Sequence, residues 1–256
     1  MRKMIIAANW KMNKCKDESL DFILKINNKV PDKKKIETII FPQATLLDAL
    51  IKVKGENLKI GAQNVFYMNE GAYTGEISPK NIKNLGIKYV IIGHSERRLH
   101  FGENDHIINL KLLSSLSNDI YPIVCIGEYI EELKKKEKTK IFLNQQIENI
   151  LQNINPIYIK NIILAYEPIW AIGKKDKKID PKQINKIIKS IRNKISFLFD
   201  KMISEKIRII YGGSVSIFNA EYFLIQKEID GILIGKNSLD ISNFLSFMEI
   251  AKKIKK

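Results

Sequence analysis

Short apolar runs alternate with longer amphipathic segments along this chain. The runs consist mainly of isoleucine and valine without polar residues in alternation, which is typical of parallel strands that are buried on both faces. Eight such runs occur, at residues 4–9, 37–41, 59–64, 89–93, 120–126, 162–166, 208–211 and 231–234. We therefore predict eight β-strands in one parallel sheet.

The segments between the runs place apolar residues at helical spacing and carry helix-start signals. Ser78-Pro79 and Asp180-Pro181 each combine an N-cap residue with a proline that fits the first helical position. We predict helices that begin at these two sites and further helices at residues 17–30, 104–116, 130–154, 219–224 and 239–254. Strands and helices are therefore expected to alternate along the whole chain.

Eight strand–helix repeats within 256 residues predict a particular architecture. No Gly-, Ser- or Pro-rich linker divides the chain, and its length and 45% hydrophobic content suffice for one large core. The repeats favour an α/β protein, a single (β/α)8 barrel domain over residues 1–256, above an open doubly wound sheet. Because active sites of such barrels lie at the carboxyl ends of the strands, the candidate chemistry is expected there.

Three ionisable residues follow predicted strands and are candidates for catalysis. Glu167 precedes an apolar segment, and a partly desolvated carboxylate is a stronger base, although an ion pair with a neighbouring loop is the alternative. His94 is compatible with catalysis or with a structural role. Lys11 is compatible with a Schiff-base nucleophile, an anion-binding group or half of an ion pair with Glu96.

Glycine-rich corners end the last two predicted strands. Gly212-Gly213-Ser214 and Gly235 stand where many barrels bind phosphate through backbone N–H groups, although plain turns have the same composition. Cys125 lies within an apolar run, and we expect a supporting role in packing rather than a reactive thiol. No spacing of His, Cys, Asp or Glu matches a metal site, and no GxGxxG or P-loop motif occurs.

The net charge of +15 raises the alternative of a nucleic-acid-binding protein. Lysine is spread along the whole chain, however, together with abundant isoleucine and asparagine, a bias that an A+T-rich genome produces. We interpret the charge as a solvated background that attracts anionic substrates. Two cysteines cannot form a disulfide framework, and no apolar run is long enough for a membrane helix. These features predict a cytoplasmic protein that binds neither nucleic acid nor membranes.

Several segments form a highly specific combination. They are Asn9-Trp10-Lys11-Met12-Asn13, Gly93-His94-Ser95-Glu96-Arg97-Arg98, Ala165-Tyr166-Glu167-Pro168-Ile169-Trp170-Ala171-Ile172-Gly173 and Tyr211-Gly212-Gly213-Ser214-Val215, joined by residues 61–65 and 71–78. In order and spacing they closely resemble the signatures of the triosephosphate isomerase family, over essentially the full chain. The resemblance implies an enzyme of glycolysis and gluconeogenesis that interconverts dihydroxyacetone phosphate and D-glyceraldehyde 3-phosphate without cofactor or metal.

The resemblance also implies a role for each matching residue near the reaction. Glu167 matches the base that moves a proton between adjacent carbons, and His94 matches the neutral electrophile that polarises the carbonyl. Lys11 matches the cation that stabilises the enediolate and the phosphate. Asn9 matches the amide that hydrogen-bonds the reacting oxygens, and Glu96 matches the ion-pair partner that orients Lys11.

Further residues match the family's phosphate site and lid. The backbone phosphate grip consists of Gly173, Ser214, Gly235 and Lys236. Residues 168–178 match a mobile lid that excludes water and prevents loss of phosphate from the enediolate. Tyr211 and Ser214 match residues that hold the lid closed. Thr74 matches the tip of a loop that inserts beside Lys11 of the partner subunit, which implies a homodimer.

The chain departs from the family at two places. The family usually has two glycines where this chain has Gly235-Lys236, and the backbone N–H still binds phosphate if φ is not strongly positive. The far hinge of the lid, at residues 174–179, is one residue longer than usual. Because the catalytic residues are unchanged, we expect this hinge to affect the opening rate rather than the chemistry.

Two other interpretations remain open at the level of sequence. A Schiff-base aldolase on the same barrel would use Lys11 as its nucleophile. A catalytically inactive barrel would serve only as a scaffold, and the joint presence of Asn9, Lys11, His94 and Glu167 argues against it.

Overall fold

A computed structural model describes residues 2–128, 136–169 and 179–254 of the chain. Gly173, the hinge residues 174–178 and nearly all of the predicted lid lie outside the described residues, as does the segment 130–135 of one predicted helix. In the described ranges, no helix combines the length and the apolar content that a membrane-spanning helix requires.

Eight parallel strands form a closed barrel, which confirms the predicted (β/α)8 fold. The strands are β1 (Met4–Asn9), β2 (Ile36–Phe41), β3 (Leu58–Ala62), β4 (Tyr89–Ile92), β5 (Tyr121–Ile126), β6 (Ile163–Tyr166), β7 (Arg208–Tyr211) and β8 (Gly231–Ile234). They pair in sequence order, and β8 returns to β1, where Ile5 lies opposite Gly231. All carboxyl ends of the strands therefore meet at one mouth of the barrel.

Helices follow the strands on the outside of the barrel. They are α1 (Lys16–Ile26), α2 (Leu47–Val53), α3 (Pro79–Asn84), α4 (Ser95–Phe101), α5 (Asp105–Ser117), α6 (Lys136–Leu151), α7 (Pro181–Leu198), α8 (Lys201–Lys206), α9 (Ala220–Leu224) and α10 (Ile241–Lys253). The predicted N-caps are confirmed, because the side chains of Ser78 and Asp180 accept hydrogen bonds from Asn81 and Lys182. The helix predicted at 17–30 ends earlier, at Ile26, and a 3-10 turn follows.

The apolar residues of the strands fill two separate cores. One core lies inside the barrel and includes Ile5, Ile39, Ile91 and Ile123, whereas a larger core lies between the strands and the helices. The ring of Phe41 on β2 lies against Gly61 on the neighbouring strand β3. A Cβ atom at Gly61 would lie only 2.3 Å from Cε1 of this ring. Burial on both faces explains why the strands are continuously apolar.

Candidate active site

The carboxyl ends of β1, β4 and β6 bring the candidate reacting groups together. Asn9, Lys11, His94 and Glu96 line one cleft of about 470 Å³ at this mouth of the barrel. The Glu167 carboxylate lies deeper and is only 2% exposed. The structure therefore assembles residues that are separated by up to 158 positions in the sequence.

His94 and Ser95 contact the two oxygens of the Glu167 carboxylate. Oε1 lies 3.4 Å from Nε2 of His94, and Oε2 accepts a hydrogen bond of 3.2 Å from the backbone N–H of Ser95. Ser95 is the first residue of α4, so the carboxylate also faces the positive end of that helix. The base and the electrophile implied by the sequence thus lie side by side.

Glycines enclose Glu167 on two sides. A Cβ atom at Gly212 would lie 2.8 Å from Cγ of Glu167, and one at Gly127 would lie 1.7 Å from its carbonyl oxygen. Neither position has room for any side chain. Gly212, after β7, therefore leaves space for the Glu167 side chain, and Gly127, after β5, leaves space for its backbone carbonyl.

The hydrogen bonds of His94 define its tautomer. Its Nδ1 accepts a bond of 3.3 Å from the backbone N–H of Glu96, at the start of α4. An acceptor nitrogen carries no proton, so we assign the proton of the neutral ring to Nε2, which faces the cleft and Glu167. His94 is thus arranged as a neutral hydrogen-bond donor.

The backbone of Lys11 is strained and is held by two amides. Its φ of +51° lies in the left-handed region, which costs a non-glycine residue about 1 kcal/mol. Asn9 Oδ1 accepts from the Lys11 N–H at 3.0 Å. Gln63 Nε2 donates to the carbonyl oxygens of Lys11 and Phe41, each at 2.8 Å. Sequence reasoning missed this role of Gln63, whose only signal is a polar residue directly after β3.

The Lys11 side chain forms an ion pair across the mouth of the barrel. Its Nζ donates to Glu96 Oε1, and its side chain passes over Gly235, where an added Cβ would lie 3.5 Å from Lys11 Cε. Of the roles left open for Lys11, the ion pair with Glu96 is present in the structure. The ion pair therefore links the end of β1 to the first turn of α4.

Cys125 is buried beneath Glu167. Burial raises the pKa of the Cys125 thiol well above its usual range, and the nearby Glu167 carboxylate raises it further. This agrees with the predicted packing role. Arg98, which sequence reasoning did not single out, donates to the carbonyl oxygens of Gly93 and Cys125 at 3.0 and 3.2 Å and so ties β4 to β5.

The glycine-rich corners after β7 and β8 adjoin the same mouth. Burial raises the pKa of Tyr211, and a Cβ at Gly213 would lie 2.1 Å from the Tyr211 hydroxyl oxygen. Asn237 Nδ2 donates to Val215 O at 2.6 Å and joins the two corners. A 3-10 turn (Lys236–Ser238) begins directly after Gly235, so its first N–H groups lack partners within the turn.

Lys236 and Ser214 differ in exposure. The Lys236 side chain is exposed. Its backbone φ is not positive, unlike that of four other non-glycine residues in the described ranges. Ser214 is half-buried, and Asn219 holds its carbonyl oxygen at 3.1 Å. The backbone at Lys236 is therefore compatible with a side chain, as the sequence analysis required.

Thr74 lies at the exposed tip of a loop, here called the 66–77 loop. A hydrogen bond of 2.8 Å from the Phe66 N–H to the Ile77 carbonyl closes the base of this loop. The tip turns through Gly71 and Gly75, which have positive φ. Exposed apolar side chains occur in this loop, at Met68 and Tyr73, and along the cleft, at Met12 and Phe101.

A larger cleft, of about 740 Å³, opens at the opposite end of the barrel. Its arginines are neutralised by carboxylates, as in the pairs of Arg208 with Glu37 and of Arg192 with Asp230. This end holds the amino termini of the strands, where barrel enzymes have no catalytic residues. We therefore assign the chemistry to the smaller cleft at the carboxyl ends. In the described residues, no three metal-ligating side chains of His, Cys, Asp or Glu cluster anywhere.

Comparison with known proteins identifies the family. The family model described as triosephosphate isomerase matches residues 4–251. The triosephosphate isomerase of Onion yellows phytoplasma (strain OY-M) is 51% identical over 252 residues, which cover 98% of this chain and 91% of the relative. The triosephosphate isomerase of Caldanaerobacter subterraneus subsp. tengcongensis is 42% identical over 244 residues, which cover 95% and 98%.

The match extends over all eight strands, and four of the residues that carry the resemblance, Asn9, Lys11, His94 and Glu96, line one cleft. The chain belongs to the triosephosphate isomerase family.

Proposed function

We propose that this chain interconverts dihydroxyacetone phosphate and D-glyceraldehyde 3-phosphate through an enediolate, in glycolysis and gluconeogenesis, with the residues of the smaller cleft as its machinery. The observation that carries the proposal is the buried Glu167 carboxylate, 3.4 Å from His94 Nε2. A base next to a neutral donor is the arrangement that removal of a proton beside a carbonyl requires.

Glu167 removes a proton from the carbon next to the carbonyl, and the electron pair moves onto the carbonyl oxygen. His94 Nε2–H donates to that oxygen and stabilises the charge that develops there. Glu167 then returns the proton to the former carbonyl carbon, while a hydroxyl proton shifts between the two oxygens. Atoms and charge balance within the substrate, so the proposal requires no cofactor, metal or redox partner.

Lys11 and Asn9 stabilise the enediolate from the side of β1. The Lys11 ammonium is held in place by Glu96, and it provides a positive charge beside the developing oxyanion. A protonated, ion-paired lysine is a poor nucleophile, which counts against the aldolase alternative. Its strained backbone, held by Asn9 and Gln63, is typical of residues that a functional site holds in one conformation.

The substrate phosphate binds between the corners after β7 and β8. Backbone N–H groups of Ser214, Gly235 and Lys236 are the proposed donors, and Gly173 supplies another from the lid. Tyr211 and Ser214 hold the lid closed over the site. Phosphate binding at these corners fixes one end of the substrate and places its two reacting carbon atoms next to Glu167.

The proposal extends to the whole protein. Residues 1–256 form one domain, supported by the pairing of β1 with β8 near the two ends of the chain. Two copies associate through the 66–77 loop, with Thr74 beside Lys11 of the partner subunit.

The free cysteines, Cys15 and Cys125, favour a reducing compartment and hence the cytoplasm. Its partner is a small-molecule triose phosphate, and nucleic acid and membranes are not its partners.

Direct assay of the purified chain tests this function. We expect interconversion in both directions with each product detected by a coupling enzyme, and activity that survives treatment with a chelator. In D2O the product should carry deuterium at carbon, because the proton passes through a carboxylic acid that exchanges with solvent. Absence of interconversion, or a borohydride-trapped adduct on Lys11 with a keto substrate, would overturn the proposal.

A further inference from the structure

A single peptide group ties Glu167 to the neighbouring strand. The carbonyl of Ile126, at the end of β5, accepts a hydrogen bond of 2.8 Å from the Glu167 N–H. The N–H of the same peptide group belongs to Gly127, and it donates to Gln146 Oε1, also at 2.8 Å. Gln146 comes from α6 and is only 4% exposed. The peptide that holds the catalytic base is thus itself held from outside the barrel.

Gly127 also contacts Glu167 directly. A Cβ atom at Gly127 would lie 1.7 Å from the Glu167 carbonyl oxygen and 2.7 Å from its carbonyl carbon. The two main chains are therefore as close as atoms allow, and a rotation of the Ile126–Gly127 peptide moves the backbone of Glu167. A shift of about 1 Å in a reacting group lowers rates by as much as 10²-fold.

We propose that Gln146 is a positioning residue for Glu167, which acts through the Ile126–Gly127 peptide. This inference rests on the proposed function of Glu167. Gln146 does not touch the substrate. Without its oxygen, the buried Gly127 N–H loses its acceptor, and the peptide turns to find another. The Glu167 N–H then loses the Ile126 carbonyl as its acceptor, and the Glu167 carboxylate moves away from its position beside His94 Nε2.

A merely structural role for Gln146 predicts something different. In that case its loss would lower stability without a selective effect on turnover. Asn109 offers a matched control, because it is also a buried amide next to α6. Its Nδ2 donates to the carbonyl oxygens of Ile150 and Gln152 at 2.7 and 2.8 Å, and it contacts none of the proposed site residues through a hydrogen bond.

Three variants separate the two roles. Gln146→Met removes the acceptor oxygen and keeps a side chain of similar length, whereas Gln146→Glu keeps an acceptor oxygen. Asn109→Leu is the matched control. Each is assayed for kcat and KM well below its unfolding temperature. We expect Gln146→Met to lower kcat about tenfold or more with KM within about twofold, because the phosphate corners after β7 and β8 are untouched. Gln146→Glu should restore most of the lost kcat. Asn109→Leu should lower the unfolding temperature and leave kcat within about twofold.

Amide hydrogen exchange provides a readout that does not depend on turnover. The Gly127 and Glu167 amides should exchange faster in Gln146→Met than in the wild type, and remain unchanged in Asn109→Leu. If Gln146→Met fails to fold, Gln146→Asn takes its place. Its shorter side chain places the amide oxygen out of reach of the Gly127 N–H, so kcat must fall while KM stays nearly constant.

Several results would overturn the inference. They are a folded Gln146→Met with kcat near that of the wild type, an equal loss of kcat in Asn109→Leu, or a rise in KM that accounts for the whole effect. A wild-type chain without isomerase activity would instead refute the proposed function. The amide exchange of Glu167 would still show whether Gln146 holds the peptide.

Discussion

Main-chain groups orient the candidate reacting side chains. The Ser95 N–H binds the Glu167 carboxylate, and the Glu96 N–H binds His94 Nδ1, so the first turn of α4 orients both. The backbone of Lys11 is held by the side chains of Asn9 and Gln63. Hydrogen bonds in which one partner is a backbone group thus hold the site, which is the preorganisation that electrostatic catalysis requires.

The departure from the family at Lys236 leads to a prediction. The side chain is exposed, so we expect its backbone N–H alone to contact phosphate. Lys236→Gly should change the affinity for a phosphate ligand by less than about 0.5 kcal/mol and leave its salt dependence unaltered, as measured by calorimetry at two ionic strengths. Lys206→Ser, at the opposite end of the barrel, is the control. A loss of roughly 1.5–3 kcal/mol would mean that the side chain itself grips the phosphate.

The two cysteines should differ in reactivity. Burial and the Glu167 carboxylate raise the pKa of Cys125, so its reactive thiolate form is scarce at neutral pH. In a Cys15→Ser background we expect no modification of the folded protein by a thiol reagent over hours at pH 8, and complete modification in denaturant. Mass spectrometry gives both results. Rapid labelling of the folded variant would contradict the packing of Cys125 beneath Glu167.

At the scale of whole elements, the strands were largely predictable from the sequence. The predicted ranges of β1, β7 and β8 coincide with the structure, because each continuous apolar run ends in a polar or glycine corner. The short helices α2, α4 and α8 do not follow from the apolar pattern. They have seven, seven and six residues, too few to repeat the helical period twice, and the packing of the barrel stabilises them.

An ion pair between elements stabilises the floor of the barrel. Burial alone would raise the pKa of Glu37 on β2. The Arg208 charge on β7 and hydrogen bonds from Tyr89 and Arg208 outweigh burial, and the pKa of Glu37 falls below its usual range. The pKa of Glu37 is therefore lower in the folded protein than in the unfolded chain, and this difference stabilises the fold at pH values above the pKa of the unfolded chain. The stabilisation is lost as the pH falls through the pKa of the folded protein.

We expect Arg208→Met to lower the free energy of unfolding by about 3 kcal/mol at pH 7, because the buried Glu37 carboxylate loses its nearer cation and keeps Lys3 at 3.9 Å and the hydroxyl of Tyr89. The loss should shrink toward pH 4, where Glu37 takes up a proton in the variant. Urea unfolding at both pH values measures it. Lys252→Met, which breaks an exposed pair with Glu249, should cost under about 1 kcal/mol. An equal loss in the two variants would refute the account of the buried pair.

At the scale of the whole molecule, the sequence predicted which residues would meet but not how they are held. The barrel rule brings Asn9, Lys11, His94 and Glu167 to one mouth, because all carboxyl strand ends face the same way. Gln63 and Gln146 escaped notice, since their partners are backbone groups 19 to 52 residues away in the sequence. Such contacts have no signal in a single sequence.

Association of two copies is the prediction at this scale. The exposed apolar side chains around the cleft and the 66–77 loop form a surface typical of an interface. Replacing residues 70–75 by a short turn should give monomers in sedimentation and weaken activity, because the Lys11 and His94 loops lose their proposed support. The base of the loop remains closed by the bond between Phe66 and Ile77. A wild-type chain that is monomeric at micromolar concentration would contradict the proposal.

The central claim is that Glu167 moves the proton, and Glu167→Gln tests it most directly. The amide has nearly the shape of the carboxylate and fits the same space beside Gly212, but it cannot accept a proton from carbon. We expect an unchanged unfolding temperature and unchanged affinity for a phosphate ligand that cannot be isomerised, with kcat lowered about 10²-fold or more. Turnover near the wild-type value in a folded Glu167→Gln variant would contradict the account.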